Sequence, residues 1–179
     1  MKDAHEHGYA VLTYDGPGQG SALRDQGLTF TNEWEKPVKA IIDASLASHP
    51  RPDKMVLAGM SMGGYLTPRA AAFDDRFDGV VAYDVLFDLG ATARRYVPGS
   101  AFWLRDLGFG AVVDLMIRLK AALSPGFAWA ASNGMWTLGT KHALDTVTEL
   151  QKYTLAGVAD RIKGDVLILA GGRGSFRAC

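Results

Sequence analysis

One serine in this sequence is flanked by a glycine two positions away on each side. Gly59, Ser61 and Gly63 form the pattern G-x-S-x-G between a short apolar run and a helical pattern. Such a turn from strand to helix is sharp, exposes the serine hydroxyl at the end of a sheet, and needs glycines where side chains would collide. The backbone N–H of Met62 and the start of the helix would stabilise an oxyanion. The pattern predicts Ser61 as a nucleophile.

Two other interpretations of glycine-rich turns were weighed. A serine between strand and helix can simply cap the helix, and that structural role remains an alternative for Ser61. The segment Asp15–Gly20 (DGPGQG) follows an apolar run and resembles a phosphate loop. It lacks both the G-x-G-x-x-G spacing of a dinucleotide site and the Gly-Lys-Ser/Thr of a Walker A loop. We therefore expect a rigid turn there.

Short apolar runs bounded by breaker residues predict the strands that position the serine. The predicted strands are Tyr9–Tyr14, Lys54–Ala58, Gly79–Tyr83 and Asp165–Ala170. Two helices are predicted between them, at Asn32–Ser48 and Tyr65–Phe73. Asn32 and Glu35 have the spacing of a capping box for the first helix. Alternating strands and helices with continuous apolar strands predict an α/β fold of three layers, with a mostly parallel sheet covered on both faces.

Residues 88–160 change in character, because helical spacing dominates there. Apolar positions expected to share helix faces are Val112, Val113, Met116, Leu119 and Leu123, then Leu144, Val147, Leu150 and Leu155. This block is predicted to be a helical insertion lying over the sheet. Trp129 and Trp136 within it either line a substrate pocket or pack the insertion against the core, and the sequence leaves both open.

Composition limits the class of protein. The 179 residues suffice for one domain with a buried core. Nineteen Lys+Arg balance nineteen Asp+Glu, so no net positive charge favours nucleic acid or an anionic membrane. The N-terminus lacks a signal-peptide pattern, and charges interrupt the longest apolar region, so no membrane span is expected. The single cysteine, Cys179, permits a reducing compartment. We expect a cytoplasmic protein that acts on a small molecule.

Several longer motifs resemble one family. They are YDGPGQG at Tyr14–Gly20, the helix opening Trp34-Glu35, GMSMGGYLTPRAAAFDDRFDGVVAYD at Gly59–Asp84, WAASNGMWTLGT at Trp129–Thr140 and YTLAGVADRIKGDVLILAG at Tyr153–Gly171. Together they resemble the α/β-hydrolase superfamily. The branch they resemble holds 2,6-dihydroxypseudooxynicotine hydrolase-like enzymes, the fermentation–respiration switch protein family and fungal hydrolases that shorten polyketide pigment precursors.

The resemblance implies a domain plan and roles for residues. Residues 1–87 would be a partial α/β-hydrolase core, 88–160 a helical cap over the active site, and 161–179 the penultimate core strand with an aberrant tail. Ser61 would be the nucleophile and the Met62 N–H an oxyanion donor. A family member of this kind is a serine hydrolase that uses no metal and no cofactor.

The acid and histidine of the family triad have no counterpart in the expected places. In the family the acid follows the strand that DVLILAG resembles, but Gly174 stands there, and the histidine would come later still. Asp84 and Asp88 follow the third strand, where some lipases place the acid, although a cap or surface role is the alternative for both. We expect His5, His7, His49 and His142 to be surface residues, and no ligand set has metal spacing.

The tail Gly171–Cys179 (GGRGSFRAC) suggests a reason why the family acid and histidine are missing. A single base inserted in front of one plausible set of codons for the family-like GEEDHFVP, with two further bases at the end, yields this tail at every residue. We hypothesise that the sequence is a frameshifted, truncated piece of a longer hydrolase, and the coding DNA would decide this. Truncated sheet edges would favour self-association.

Three functional hypotheses follow. The first is a serine hydrolase that forms an acyl-enzyme on an ester, an amide or a ketone-adjacent C–C bond of a small hydrophobic substrate. The second is an inactive fragment or a binding pseudo-hydrolase, because losing the triad base costs orders of magnitude in rate. The third is a partner chain that supplies the missing strands and the histidine.

Overall fold

A three-stranded parallel sheet carries the functional elements in the computed structural model, which describes residues 2–170. The strands are β1 (Val56–Met60), β2 (Gly79–Tyr83) and β3 (Asp165–Leu169), adjacent in the order β1-β2-β3. The parallel register aligns the carboxyl ends of all three strands at one edge of the sheet. The predicted α/β architecture and three of its predicted strands are confirmed.

Helices precede, connect and follow the first two strands. They are α1 (Lys2–Glu6), α2 (Gly20–Arg24), α3 (Glu35–Ser48), α4 (Gly63–Ala71), α5 (Leu89–Arg94), α6 (Gly99–Leu104), α7 (Gly110–Leu123), α8 (Pro125–Leu138) and α9 (Ala143–Leu150). A π-helical turn at Arg105–Phe109, with Gly108 at φ 90°, joins α6 to α7, and a 3-10 turn at Ala159–Arg161 precedes β3.

The core lies between the sheet and α3 and α4. Helix α4 packs directly on β1 and β2, and α3 packs on α4. Its largest fully buried side chains are Trp34, Tyr65, Tyr153, Leu66, Val38 and Val80. Burying an aliphatic or aromatic side chain of this size contributes about 1.5–3 kcal/mol each, so this cluster holds α4, and the turn before it, against the strands.

The predicted strand Tyr9–Tyr14 is wrong for the described structure. The segment has no regular secondary structure, and Tyr9 and Leu12 are exposed. A strand needs a neighbour to receive its backbone hydrogen bonds, and within residues 2–170 β1 pairs with β2 alone. The apolar pattern predicts an extended segment, but it does not show whether a neighbouring strand is present to pair with it.

The capping box predicted at Asn32 and Glu35 is also wrong. Helix α3 begins at Glu35, its N-cap is Trp34, and no side chain caps it. The Asn32 carbonyl instead accepts a hydrogen bond from the Tyr65 hydroxyl at 2.9 Å. The Glu35 carboxylate is occupied by Arg69, at 2.9 and 3.0 Å. A long-range ion pair has replaced the local cap.

The helical block between β2 and β3 exposes most of the apolar face predicted for it. On α7, Val113 is buried, whereas Met116, Leu119 and Leu123 are exposed. On α9 the prediction holds better, since Leu144 and Val147 are buried. Trp129 and Trp136 are 69% and 52% exposed, so packing against the core is the wrong interpretation for them in this structure.

The sheet face opposite α4 is open in the described part of the chain. Side chains alternate along a strand, so Leu57 faces α4 while Val56 and Met60 point to the other face. Leu57 is buried, whereas Val56 and Met60 are exposed. The side chains of β3 are exposed on both faces. The second covering layer that the apolar strands predict is therefore not found among residues 2–170.

Candidate active site

Ser61 occupies the turn between β1 and α4 in a conformation that few serines adopt. Its φ is 56°, in the left-handed region, and the residue is exposed. The Ser61 N–H donates to the Tyr83 carbonyl at 2.9 Å, and the Gly64 N–H donates to the Ser61 carbonyl at 2.8 Å. A left-handed φ is unfavourable for an L-residue with a side chain, and these two hydrogen bonds hold Ser61 in it. The turn presents the hydroxyl at the carboxyl edge of the sheet.

Of the two glycines of the motif, only Gly59 has the close contact that was predicted. A Cβ on Gly59 would collide with the Gly63 carbonyl oxygen, as the motif predicts. A Cβ on Gly63 would meet nothing within 4 Å of the described atoms, so the predicted collision there is wrong. A Cβ on Gly64 would lie 2.5 Å from the Asp84 carbonyl oxygen. The G-x-S-x-G pattern does not include Gly64, although the Gly63-Gly64 pair at the helix start is a signal for it.

The backbone amides at the start of α4 lie next to the turn that carries Ser61. Met62 is the N-cap of α4, with helical φ and ψ. The first N–H groups of a helix have no partner within the helix. Among the described residues the Met62 N–H has no hydrogen-bond acceptor, while the Met62 carbonyl accepts from Tyr65 and Leu66. An unsatisfied amide beside an exposed serine hydroxyl is a chemically suitable donor for an oxyanion.

A cavity of about 340 Å³ lies in front of Ser61. Three parts of the chain line it: Leu12, Thr13, Tyr14, Gln19 and Trp34 before the sheet; Ala58, Gly59, Met60, Ser61, Met62 and Gly63 at the turn; and Leu66 and Thr67 on α4. Its size falls in the range of small-molecule sites. Gln19 and Trp34 were not among the predicted site residues, because no local sequence pattern brings them to Ser61.

The far wall of the cavity is fixed by the turn Asp15–Gly20. The Gln19 Oε1 accepts from the Gly16 N–H at 3.0 Å, and a Cβ on Gly16 would lie 2.5 Å from the buried Trp34 ring. Burial raises the pKa of the Tyr14 phenol, so its hydroxyl stays neutral well above neutral pH. The rigid turn expected at this segment is what the structure has, and it contributes to the cavity.

Asp84 and Ser61 lie beside each other at the edge of the sheet. Met60 pairs with Tyr83 in the register, and Ser61 and Asp84 are the residues that follow them. Asp84 is exposed and also left-handed, with φ 58°, and its N–H donates to the Leu169 carbonyl at 2.8 Å. Two non-glycine residues with positive φ are therefore adjacent across neighbouring strands, at the position where the chemistry was predicted.

Asp88 has a different environment. It is the N-cap of α5, and its Oδ1 accepts from the Ala91 N–H at 2.7 Å. Its backbone forms an isolated bridge with Thr154. Its carboxylate therefore has the structural cap role that was the alternative to acting as a triad acid.

None of the four histidines of the chain lines the cavity in front of Ser61. Nδ1 of His7 and of His49 contact the carbonyls of Asp3 and Ser45. His142 Nδ1 contacts the Asp114 carboxylate at 2.9 Å, in the helical block. The position where the family places its acid, at Gly174, and the whole tail Gly171–Cys179 lie outside the described residues.

The described residues offer neither a metal site nor a membrane-spanning helix. Within residues 2–170, no three His, Cys, Asp or Glu side chains come together in a way that could hold a metal ion. None of the described helices combines the length and the apolar character needed to cross a bilayer.

Comparison with known proteins assigns the chain to a family. The family model described as the alpha/beta hydrolase family matches residues 1–173. The chain therefore belongs to the alpha/beta hydrolase family.

Fungal hydrolases are among its relatives. The chain is 33% identical over 173 residues to hydrolase LUC6 of Fusarium sp., covering 90% of this chain and 40% of that protein. It is 31% identical to hydrolase acrC of Aspergillus aculeatus, over 87% of this chain and 38% of that protein. With alpha/beta hydrolase psoB of Aspergillus fumigatus the identity is 32%, over 83% and 35%. The chain thus spans about 40% of the length of the relatives it matches.

Proposed function

We propose that the chain is the nucleophile-bearing part of a serine hydrolase, with Ser61 as the nucleophile. The observation that carries the proposal is the strained, exposed turn at Ser61, with φ 56°, beside the unsatisfied N–H of Met62. A structural serine cap would need no such strain, and α4 has no side-chain cap at all. The cost of holding Ser61 there is of order 1–3 kcal/mol, which favours a functional reason.

The proposed reaction is acyl transfer to Ser61. The Oγ attacks a substrate carbonyl carbon and its proton passes to a general base, while the carbonyl oxygen becomes an oxyanion near the Met62 N–H. The C–X bond then breaks, and the leaving group departs with a proton. Water attacks the acyl-enzyme in the same way and releases the acid. Ester, amide and ketone-adjacent C–C bonds all fit this sequence.

The cavity supports a small substrate that carries both apolar and polar groups. Leu12, Met60, Met62 and Leu66 contribute apolar surface, while polar atoms, among them those of Gln19 and Thr67, make up nearly half of the lining. Small-molecule sites combine apolar walls with polar groups that orient the ligand. The names of the relatives specify hydrolases without naming a substrate, so the substrate class rests on the cavity alone.

Asp84 is the better of the two predicted acids. It follows the residue paired with Met60 and its side chain has no hydrogen-bond partner among the described residues, whereas the Asp88 carboxylate caps α5. A triad acid acts through a histidine, so in a site completed by the histidine of a partner chain Asp84→Asn should lower turnover by roughly 10⁴-fold, while Asp88→Asn leaves turnover unchanged. Equal activity of Asp84→Asn and the wild type would remove Asp84 from the mechanism.

The second candidate function is binding without turnover. It is favoured by the absence of a histidine from the lining of the Ser61 cavity. A serine without its base is a weak nucleophile. In that case the cavity would still bind acyl compounds, and Ser61→Ala would leave binding intact.

Hydrolysis of p-nitrophenyl butyrate separates the two. The proposal expects turnover that Ser61→Ala abolishes and that the matched control Ser132→Ala retains, because Ser132 is exposed on α8 and bonds only to its own helix. Turnover of the same size in Ser61→Ala, or a folded wild-type chain with no turnover, contradicts the nucleophile role.

A further inference from the structure

A second cavity lies within the helical block and shares no lining residue with the cavity at Ser61. Its volume is about 330 Å³. The segment joining α5 to α6, together with α6 and α7, supplies nearly all of its apolar walls, among them Val97, Leu104 and Met116, and Phe127 of α8 closes one side. Binding an apolar group in such a cavity is favourable, because apolar surface is removed from water.

Lys120 is the one charged residue among the described residues that line this cavity. Its Nζ donates to the Tyr96 carbonyl at 3.1 Å and lies 4.5 Å from the centre of the Phe127 ring. Both partners also line the cavity, so the ammonium of the exposed Lys120 side chain lies at the cavity wall, where solvent also reaches it. The ring face attracts a cation, which reinforces this placement.

The charge of Lys120 is not neutralised within the described part of the chain, because no carboxylate lies within ion-pair distance of it there. An ammonium has three N–H donors, and the Tyr96 carbonyl takes one. The Phe127 ring accepts no conventional hydrogen bond. Donor capacity therefore remains at the edge of an apolar cavity.

We propose that this cavity is a binding site for an apolar monocarboxylate, such as a medium-chain fatty acid, with its carboxylate on Lys120. One cation with no second positive charge in the lining suits a single carboxylate better than a phosphate or a dicarboxylate. The cavity volume equals that of about eleven liquid waters at about 30 Å³ each, and a methylene group is of similar size, so a chain of about ten carbons fits. The chain would lie along Val97, Leu104 and Met116.

Calorimetric titration with decanoate and with decanol tests the carboxylate directly. The two ligands have the same chain, so the apolar walls treat them alike and only Lys120 distinguishes them. We expect decanoate to bind about tenfold more tightly than decanol, because a charge-assisted hydrogen bond contributes about 1.5 kcal/mol or more. In Lys120→Met that preference should disappear while decanol binding is kept.

Two variants make the result specific. Arg118→Met removes a positive charge from the same helix at a position that does not line the cavity, and it should keep the preference for decanoate. Ser61→Ala should also keep it, since the two cavities are separate. Equal affinity of decanoate and decanol for the wild type overturns the carboxylate site, and so does an unchanged preference in Lys120→Met. Loss of decanoate binding in Ser61→Ala would instead place the ligand at the Ser61 cavity and equally overturn the proposal.

Discussion

The backbone N–H of Ser61 donates a hydrogen bond to the carbonyl oxygen of Tyr83 at 2.9 Å. This contact extends the pairing of β1 with β2 by one residue beyond Met60, into the turn. The chain must then reverse toward α4 at once, which requires the positive φ of Ser61. The sheet itself therefore determines where the hydroxyl stands, and the stability of the turn depends on close approach of β2 to α4.

Gly64→Ala should destabilise the chain. The new Cβ would lie 2.5 Å from the Asp84 carbonyl oxygen, and backbone cannot move away cheaply. We expect a loss of about 1–3 kcal/mol in the free energy of unfolding, measured by urea denaturation. Gly63→Ala is the matched control, because a Cβ there meets nothing within 4 Å of the described atoms and alanine favours the helix. Equal destabilisation of both variants would contradict the packing described here.

Breaking the ion pair between Arg69 and Glu35 should cost more than breaking an exposed one. The pair is bidentate, and its side chains are 13% and 16% exposed. Arg69→Met leaves the Glu35 carboxylate unpaired in a poorly solvated position, so we expect a loss of about 2–4 kcal/mol. Lys39→Met, which removes an exposed pair with Asp43, should cost less than about 1 kcal/mol. Similar losses in urea denaturation of the two variants would be evidence against this account.

Stability should fall in the alkaline range because of Tyr65. Burial raises its pKa from 10.0 to about 12, and its hydroxyl donates to the Asn32 carbonyl. The raised folded-state pKa means that the stabilisation is complete below pH 10 and is lost as the pH rises toward 12, since the unfolded chain ionises first. We expect Tyr65→Phe to lose about 1 kcal/mol less than the wild type between pH 9 and pH 11. An identical pH dependence in the two proteins would contradict the buried, neutral phenol.

The cap on α5 should be measurable at Asp88. Its carboxylate accepts the Ala91 N–H at 2.7 Å. Asp88→Ala removes this acceptor and should lower the free energy of unfolding by about 1 kcal/mol, whereas Asp88→Asn retains an acceptor and should cost only a few tenths. If thermal denaturation ranks the two variants equally, the hydrogen bond is not the reason for the aspartate.

The open face of the sheet should drive self-association. Val56 and Leu167, which the register places on this face, are 58% and 52% exposed, and β1 has an unpaired edge in the described structure. We expect sedimentation velocity to show association that increases with concentration and that Val56→Lys with Leu167→Lys reduces. Asp53→Lys changes a nearby charge off the strand and serves as the control. A wild-type chain that stays monomeric at all concentrations would be inconsistent with this prediction.

Local sequence patterns predicted two kinds of element: strongly apolar strands, and turns whose requirements lie within a few residues. The strand Gly79–Tyr83 was predicted at its observed bounds, because breaker residues flank a continuous apolar run. The turn at Ser61 was predicted because its requirements are backbone requirements. Tyr9–Tyr14 was not correctly predicted, since strand formation there depends on a neighbouring strand.

The remaining errors have the same cause. The Asn32–Glu35 spacing fits a cap, but Glu35 pairs with Arg69 across the core. The need for glycine at position 64 depends on Asp84, which belongs to the next strand. The contribution of Trp34 to the cavity depends on the turn at Asp15–Gly20. Each is a long-range contact that no window of sequence contains.

Covalent labelling by a fluorophosphonate, followed by peptide mass spectrometry, tests the central claim most directly. An activated Ser61 should form a single phosphonyl adduct, present in the wild type and in Ser132→Ala and absent from Ser61→Ala. Far-UV circular dichroism on the same samples establishes that each variant is folded. A folded wild-type chain that carries no adduct on Ser61 would contradict the proposal that this turn presents a working nucleophile.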